Sequence, residues 1–216
     1  MTRNVKISLA VVGAFALILA GLLFATRPDT PDTAPGGALA ADTLAPAEAP
    51  RLNDNPGAPV TMVEFLDFEC PSCAQIQPVM SQLVAQYGDR VEFVIRYFPL
   101  PNHSNAVPAA VAAEAAHRQD RFVPMYERVF QTQAEWAGSS DAAGIFRGYA
   151  EELGLDMAAY DAAVADPATL EAVNQAEEAG LAAGVQGTPT FFVNGEKLNP
   201  ESVQDITDAL DAAVNP

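Results

Sequence analysis

The 216-residue chain holds two cysteines, Cys70 and Cys73, separated only by Pro71 and Ser72. On a helix, residues three apart lie on one face, so the two sulfurs can bridge without much backbone movement. The ring so closed is short and constrains the unfolded chain little, which makes it a weak staple. A bridge that stabilises little and opens readily suits thiol–disulfide exchange. The residues before the pair, Val60 to Phe68, read as a strand, and those after it read as a helix. Cys70 then falls at a helix start, where unpaired amides and the helix dipole stabilise a thiolate. A lowered thiol pKa sets both attack and departure, so Cys70 is expected to attack. Cys73, one turn further in and more buried, is expected to resolve the mixed disulfide. Half of a zinc site would need two more ligands, and His103 and His117 have the wrong spacing for a familiar finger. An inert structural disulfide is the other alternative. The strand-to-helix context favours the redox pair.

Other residues bear on that chemistry. Glu64 lies in the apolar strand six positions before Cys70. Beneath the active-site helix its pKa would be raised, and it could relay the Cys73 proton; the alternative is a strand-edge carboxylate facing water. Thr188-Pro189 opens a later strand. A cis bond there would set a turn beside the redox helix, and the Thr188 backbone could pair with an extended substrate. Pro71 and Ser72 tune the couple without adding a positive charge. Asp67 and Glu69 would oppose a very low Cys70 pKa if they faced the sulfur. His103 reads as a structural loop histidine or a cleft residue. Phe122, Met125, Tyr126, Val129, Phe130 and Trp136 read as the core of a helical region, with a substrate groove as the alternative.

Several elements must position these groups. A strand over 60–68, a helix from 70 to 87 interrupted by Pro78 and a strand over 91–98 form a βαβ crossover, hence two parallel strands. Residues 104–183 are rich in Ala, Glu and Gln and predict helices near 105–119, 121–132, 140–153, 156–163 and 167–182, with Asp166-Pro167 opening the last. A strand over 189–193, a tight turn at Asn194-Gly195 and a short return strand from Lys197 follow. Val203, Ile206 and Leu210 line one face of a final helix over 201–213. The expected fold is α/β, a small sheet interrupted by an all-helical insertion.

The ends and the charge bound the rest. Residues 7–25 form an uncharged run of 19, preceded by Arg3 and Lys6. This length nearly crosses a bilayer, and the flanking charges favour residues 1–6 in the cytoplasm. The run reads as a retained anchor, with a cleaved signal peptide as the alternative; both export the remainder. Residues 26–54, rich in Pro and Ala, read as a flexible linker. From residue 51 onward Lys and Arg number 8 against 24 Asp and Glu, a net charge of about −16. No basic patch is present to neutralise phosphates, which disfavours nucleic acid as a partner.

Three segments together carry a family resemblance. They are Glu64-Phe65-Leu66-Asp67-Phe68-Glu69-Cys70-Pro71-Ser72-Cys73, then Arg96-Tyr97-Phe98-Pro99-Leu100 with His103, then the stretch from Gly184 to Gly195 that contains Thr188-Pro189. The chain resembles the DsbA-like branch of the thioredoxin superfamily, close to its membrane-tethered bacterial members, over about 55–214. The resemblance implies a thioredoxin-like fold over 55–103 and 184–216 with the helical insertion at 104–183. It also implies that Cys70 attacks, that Cys73 resolves, that Pro189 is cis and faces them, and that Glu64 is the buried acid. No cofactor or metal is implied beyond the redox-active pair. The dipeptide Pro71-Ser72 stands where Pro-His is common in the family.

The expected protein is a monomeric dithiol oxidase acting on exported cysteine-containing polypeptides, single-pass in the cell membrane with its catalytic domain on the periplasmic side. Release into the periplasm after cleavage is the alternative localisation. A membrane oxidase of the DsbB or vitamin-K-epoxide-reductase type would renew the disulfide. A monomeric reductase or isomerase, renewed by a reductase, uses the same residues in the other direction. A tethered chaperone or assembly factor would instead survive loss of Cys70.

Overall fold

A strand that is apolar on both faces must be covered on both, and Val60–Leu66 (β1) lies inside the sheet as that requires. A computed structural model describes residues 41–215. Its four-stranded sheet has the order β2-β1-β3-β4, with β2 at Val91–Tyr97, β3 at Thr190–Val193 and β4 at Glu196–Lys197. β1 pairs parallel with β2, Glu64 facing Ile95 in register, and antiparallel with β3, Glu64 facing Phe191. Asn194 and Gly195 both adopt positive φ, as a two-residue hairpin between β3 and β4 demands. The helix Pro71–Tyr87 joins β1 to β2, and Val203–Val214 closes the chain.

The short helix Ala41–Leu44 is α1, the crossover helix is α2 and the last helix is α9. Between β2 and β3 stand α3 (Ala106–His117), α4 (Phe122–Gln131), α5 (Gln133–Trp136), α6 (Ala142–Glu152), α7 (Met157–Ala165) and α8 (Pro167–Ala182). The insertion is thus all-helical, and the chain has a thioredoxin-like α/β core interrupted by a helical domain. Asp141, Asp156 and Asp166 cap α6, α7 and α8 by accepting first-turn amides.

Alternation along β1 divides the core. Met62 joins Met80, Leu83, Phe93, Phe191 and Leu210 on the face covered by α2 and α9. Val63 and Phe65 face Leu44, Phe98, Val185 and Phe192 on the other side. Leu66 and Phe68 run on into the aromatic core of the insertion, where Tyr126, Phe130, Trp136 and Phe146 are buried. The aromatic stripe of α4 is therefore core. Each such buried side chain contributes about 1.5–3 kcal/mol by removal from water.

Two expectations change. The 7–25 run lies outside the described residues, and among the described residues no helix is long and apolar enough to cross a membrane. The membrane-tethered, single-pass description is corrected to that extent: no described helix supplies the span. The described end of the expected linker, 41–54, is also packed. Leu44 and Ala49 are buried, Arg51 pairs with Glu92 at 2.6 Å, and Arg51 bridges to Val94. The composition of this stretch offers little apolar surface of its own, and its order comes from the domain it lies against.

Gly180 on α8 shows how closely the insertion meets the sheet. A Cβ there would stand 2.7 Å from Phe98 and 2.9 Å from Phe65, both buried aromatic rings. Gly180→Ala should therefore destabilise the protein by about 1–2 kcal/mol, overpacking outweighing the gain in helix propensity. A thermal melt should show a drop of several degrees; an unchanged or raised Tm would contradict this packing.

Candidate active site

The turn between β1 and α2 carries Cys70, and the first turn of α2 carries Cys73. Cys70 is the N-cap of α2, with extended backbone angles, and Pro71 occupies the first helical turn, where its missing N–H costs nothing. Both cysteines are buried, Cys73 more completely than Cys70 (1% against 6% exposed), and both are free thiols. Thr188 and Pro189 lie opposite, joined by a cis peptide bond. The Cys70 thiol donates to the Thr188 carbonyl at 3.4 Å.

The two thiols differ sharply. Cys70 is lowered from 9.0 to about 5. The largest cause is the hydrogen bond that the Cys73 thiol donates to it; the Thr188 side chain and the amides of Ser72 and Cys73 add to this against the cost of burial. Cys73 is pushed far up, first by burial, then by that same hydrogen bond, which needs its proton, and then by the charge of Glu64. The site therefore stabilises one thiolate beside one thiol.

Glu64 lies on an interior strand and is 1% exposed, so it is no edge carboxylate facing water. Burial raises its pKa to about 8, and its Oε2 has no hydrogen-bond partner among the described residues. At neutral pH it is mainly a protonated acid whose charge state is felt at Cys73. The Tyr126 hydroxyl is likewise buried without a partner, and the Glu64 and Cys73 charges both act on it.

The other acids are turned to structural use. Asp67 accepts from the amides of Glu69 at 2.7 Å and Leu100 at 2.9 Å, and meets His103 Nδ1 at 2.6 Å. His103 is thereby a loop-fastening residue. Glu69 accepts from the Asn105 amide at 2.6 Å. Neither carboxylate is among the causes acting on the Cys70 pKa, and hydrogen bonding lowers that pKa without a cation at Ser72. His117 meets the Glu48 carbonyl, and among the described residues no three His, Cys, Asp or Glu side chains are gathered as metal ligands.

One contact was invisible in the sequence. Gln133, the first residue of α5, donates from Nε2 to the carbonyls of Phe68 at 2.7 Å and Cys70 at 3.0 Å. It stands in a polar stretch with no motif around it, more than sixty residues along the chain from its partners.

The family model described as "Thioredoxin" matches residues 49–212. The chain belongs to the thioredoxin family. A thioredoxin-like oxidoreductase from Silicibacter pomeroyi DSS-3 is 27% identical and superposes with a TM-score of 0.64, covering 81% of this chain and 98% of its own. The thiol–disulfide exchange protein alpha-DsbA2 from Wolbachia pipientis shares the fold at 18% identity, with a TM-score of 0.68 over 79% of this chain and 90% of its own. A curated relative, the Na(+)/H(+) antiporter NhaA of Herminiimonas arsenicoxydans, is 33% identical over 98% of this chain and 33% of its own length. The chain spans about a quarter to a third of the length of the first curated relatives it matches. The chain thus sets a closely spaced pair of free thiols on the fold of the thioredoxin family, with a DsbA-like helical insertion.

The buried Glu64 gives stability a readable pH dependence. Its folded pKa, about 8, lies above its ordinary 4.5. Between these values the folded state holds a proton that the unfolded chain releases, so the contribution is full below 4.5 and is lost as pH rises through 8. Glu64→Gln should remove this slope and leave the variant more stable than the wild type at pH 8. Denaturant titrations across pH 4–9 should show it; an unaltered slope in Glu64→Gln would mean that the carboxyl is ionised in the fold.

Proposed function

We propose that this chain is a thiol–disulfide oxidoreductase that exchanges disulfides with extended, cysteine-containing polypeptides in both directions, working chiefly as an isomerase or reductase. The observation that carries this reading is the Cys70 thiol at about 5. That lies between the value of about 3.5 found in a strong dithiol oxidant and the value of about 7 found in thioredoxin. A thiolate stabilised to an intermediate degree supports an intermediate reduction potential, since stabilising the thiolate stabilises the reduced form.

In the reducing direction an extended client segment lies along Thr188-Pro189, its backbone pairing with that of Thr188. The Cys70 thiolate attacks one sulfur of the client disulfide. A Cys70–client disulfide forms, and the second client sulfur leaves as a thiolate that takes a proton from water. Cys73 then gives its proton to an ionised Glu64 and attacks the Cys70 sulfur. The Cys70–Cys73 disulfide forms, and the remaining client sulfur leaves. The client disulfide gains two electrons and the enzyme dithiol loses them. If instead that client thiolate attacks a sulfur of another client disulfide while the client is still tethered, a new client thiolate is expelled; its attack on the client sulfur of the mixed disulfide releases Cys70 as a thiolate, so the enzyme leaves reduced and the client is isomerised.

The oxidase direction is the same path reversed, and the stabilised Cys70 thiolate favours it as a good leaving group. Glu64 then gives a proton to Cys73 as that sulfur departs. Pro71 and Ser72 set the balance by shaping the first turn of α2 without adding charge. Exported clients and a renewing membrane oxidase of the DsbB or vitamin-K-epoxide-reductase type belong to this second reading; a donor of electrons belongs to the first.

Equilibration with glutathione measures the balance. The proposal expects a Cys70–Cys73 potential near about −180 mV, with a substantial reduced fraction in the cell. A potential near about −120 mV with a fully oxidised pair would overturn it in favour of the oxidase. Cys73→Ala should accumulate mixed disulfides through Cys70, and Cys70→Ser should form none. Mixed disulfides that form through Cys73 in the Cys70→Ser protein would reverse the roles of the pair.

A further inference from the structure

The active-site turn belongs to the α/β core, but its polar groups are held from the helical insertion. Gln133 directs both hydrogens of one amide nitrogen onto the carbonyls of Phe68 and Cys70, which flank Glu69. The Glu69 carboxylate is held by the Asn105 amide at the start of α3. The Asn105 side chain in turn donates to the carbonyls of Trp136, Ala137 and Ser139 at 3.0–3.1 Å, just past Gln133. Three consecutive residues of the turn, Phe68 to Cys70, are thus tied to one corner of the insertion.

The grip on Cys70 matters for the sulfur. The Cys70 carbonyl also accepts the Ala74 amide at 3.2 Å, the first hydrogen bond of α2, so Gln133 acts at the residue where strand backbone becomes helix. Rotation of Cys70 about its extended backbone angles would carry Sγ away from the first-turn amides and from Thr188. An amide donor on the carbonyl also offsets the negative end of a dipole close to the thiolate.

We infer that Gln133 is a positioning residue for the redox reaction: by clamping the Phe68 and Cys70 carbonyls it holds the Cys70 sulfur against its hydrogen-bond donors and sets the Cys70–Cys73 redox balance from within the helical insertion. The insertion then does more than cover the site, because movement of α5 relative to the sheet would alter the reactivity of the pair. This inference rests on Cys70 being the stabilised thiolate but not on the direction of exchange.

The test compares Gln133→Met, Gln133→Ala and Gln133→Lys by equilibration with glutathione. Met keeps the length of the side chain without a donor, Ala removes it, and Lys restores N–H donors. Each lost donor is a hydrogen bond of ordinary strength, so the Met and Ala proteins should shift about three- to tenfold toward the disulfide, while Lys stays near the wild type or moves the other way. Thr132→Ala is the control, since its hydroxyl bonds within the insertion to the Arg128 carbonyl at 2.7 Å and its loss should lower Tm without moving the equilibrium. If Gln133→Ala fails to fold, the Met and Lys proteins carry the comparison. An equilibrium unchanged in the Met protein, or moved equally by Met, Lys and Thr132→Ala, would overturn the inference. The function reading fails separately, on the wild-type potential itself.

Discussion

One relation governs this site: a Cys70 thiolate stabilised by the protonated thiol of Cys73. The hydrogen bond between the two sulfurs is the largest influence lowering the Cys70 pKa and the second largest raising that of Cys73. The pair therefore holds one proton between two sulfurs, which makes one a nucleophile and keeps the other in reserve. Much of the surrounding structure can be understood as maintaining that inequality. The N-terminus of α2 offers amides to the outer sulfur, while burial penalises charge on the inner one. Glu64 beneath adds to the second effect once it ionises, because a carboxylate close to Cys73 makes its ionisation still less favourable.

Keeping the sulfurs in this relation requires three separate parts of the chain to meet. β1 places Glu64 and the turn, the segment before β3 brings Thr188 and Pro189 opposite Cys70, and the insertion fastens the turn from above. The acids of the turn illustrate how the parts cooperate. Asp67 and Glu69 could have repelled a thiolate, yet each is occupied by backbone amides, and Asp67 also by His103. Their charge thus goes into holding loop geometry. The close packing of Gly180 against Phe65 and Phe98 shows that α8 likewise has little freedom to shift over the sheet.

Much of the arrangement was legible in the residues. The strand before Cys70, the helix after it and the parallel crossover follow from local periodicity, and the helices of the insertion from their caps and apolar spacing. Asp156 and Asp166 cap their helices in the structure, and the Asn194-Gly195 hairpin takes the φ values its residue types favour. What stayed hidden depends on distant partners. Residues 41–54 look like linker by composition, and their order comes from Leu44 entering the sheet's core and Arg51 reaching Glu92. The orientation of Asp67 and Glu69 is set by residues 33 to 36 positions away. Gln133 carries no local signal at all. The apolar run at 7–25 reads as an anchor by composition; it lies outside the described residues, among which no helix is long and apolar enough to cross a membrane.

The account stands on the inequality of the two thiols, and a thiolate is directly visible by its ultraviolet absorbance near 240 nm. Titrating the reduced protein should show a single thiolate appearing with a midpoint near 5, absent from Cys70→Ser, and no second one up to pH 9. A Cys70 midpoint near that of an ordinary thiol, or two thiolates emerging together, would contradict the account.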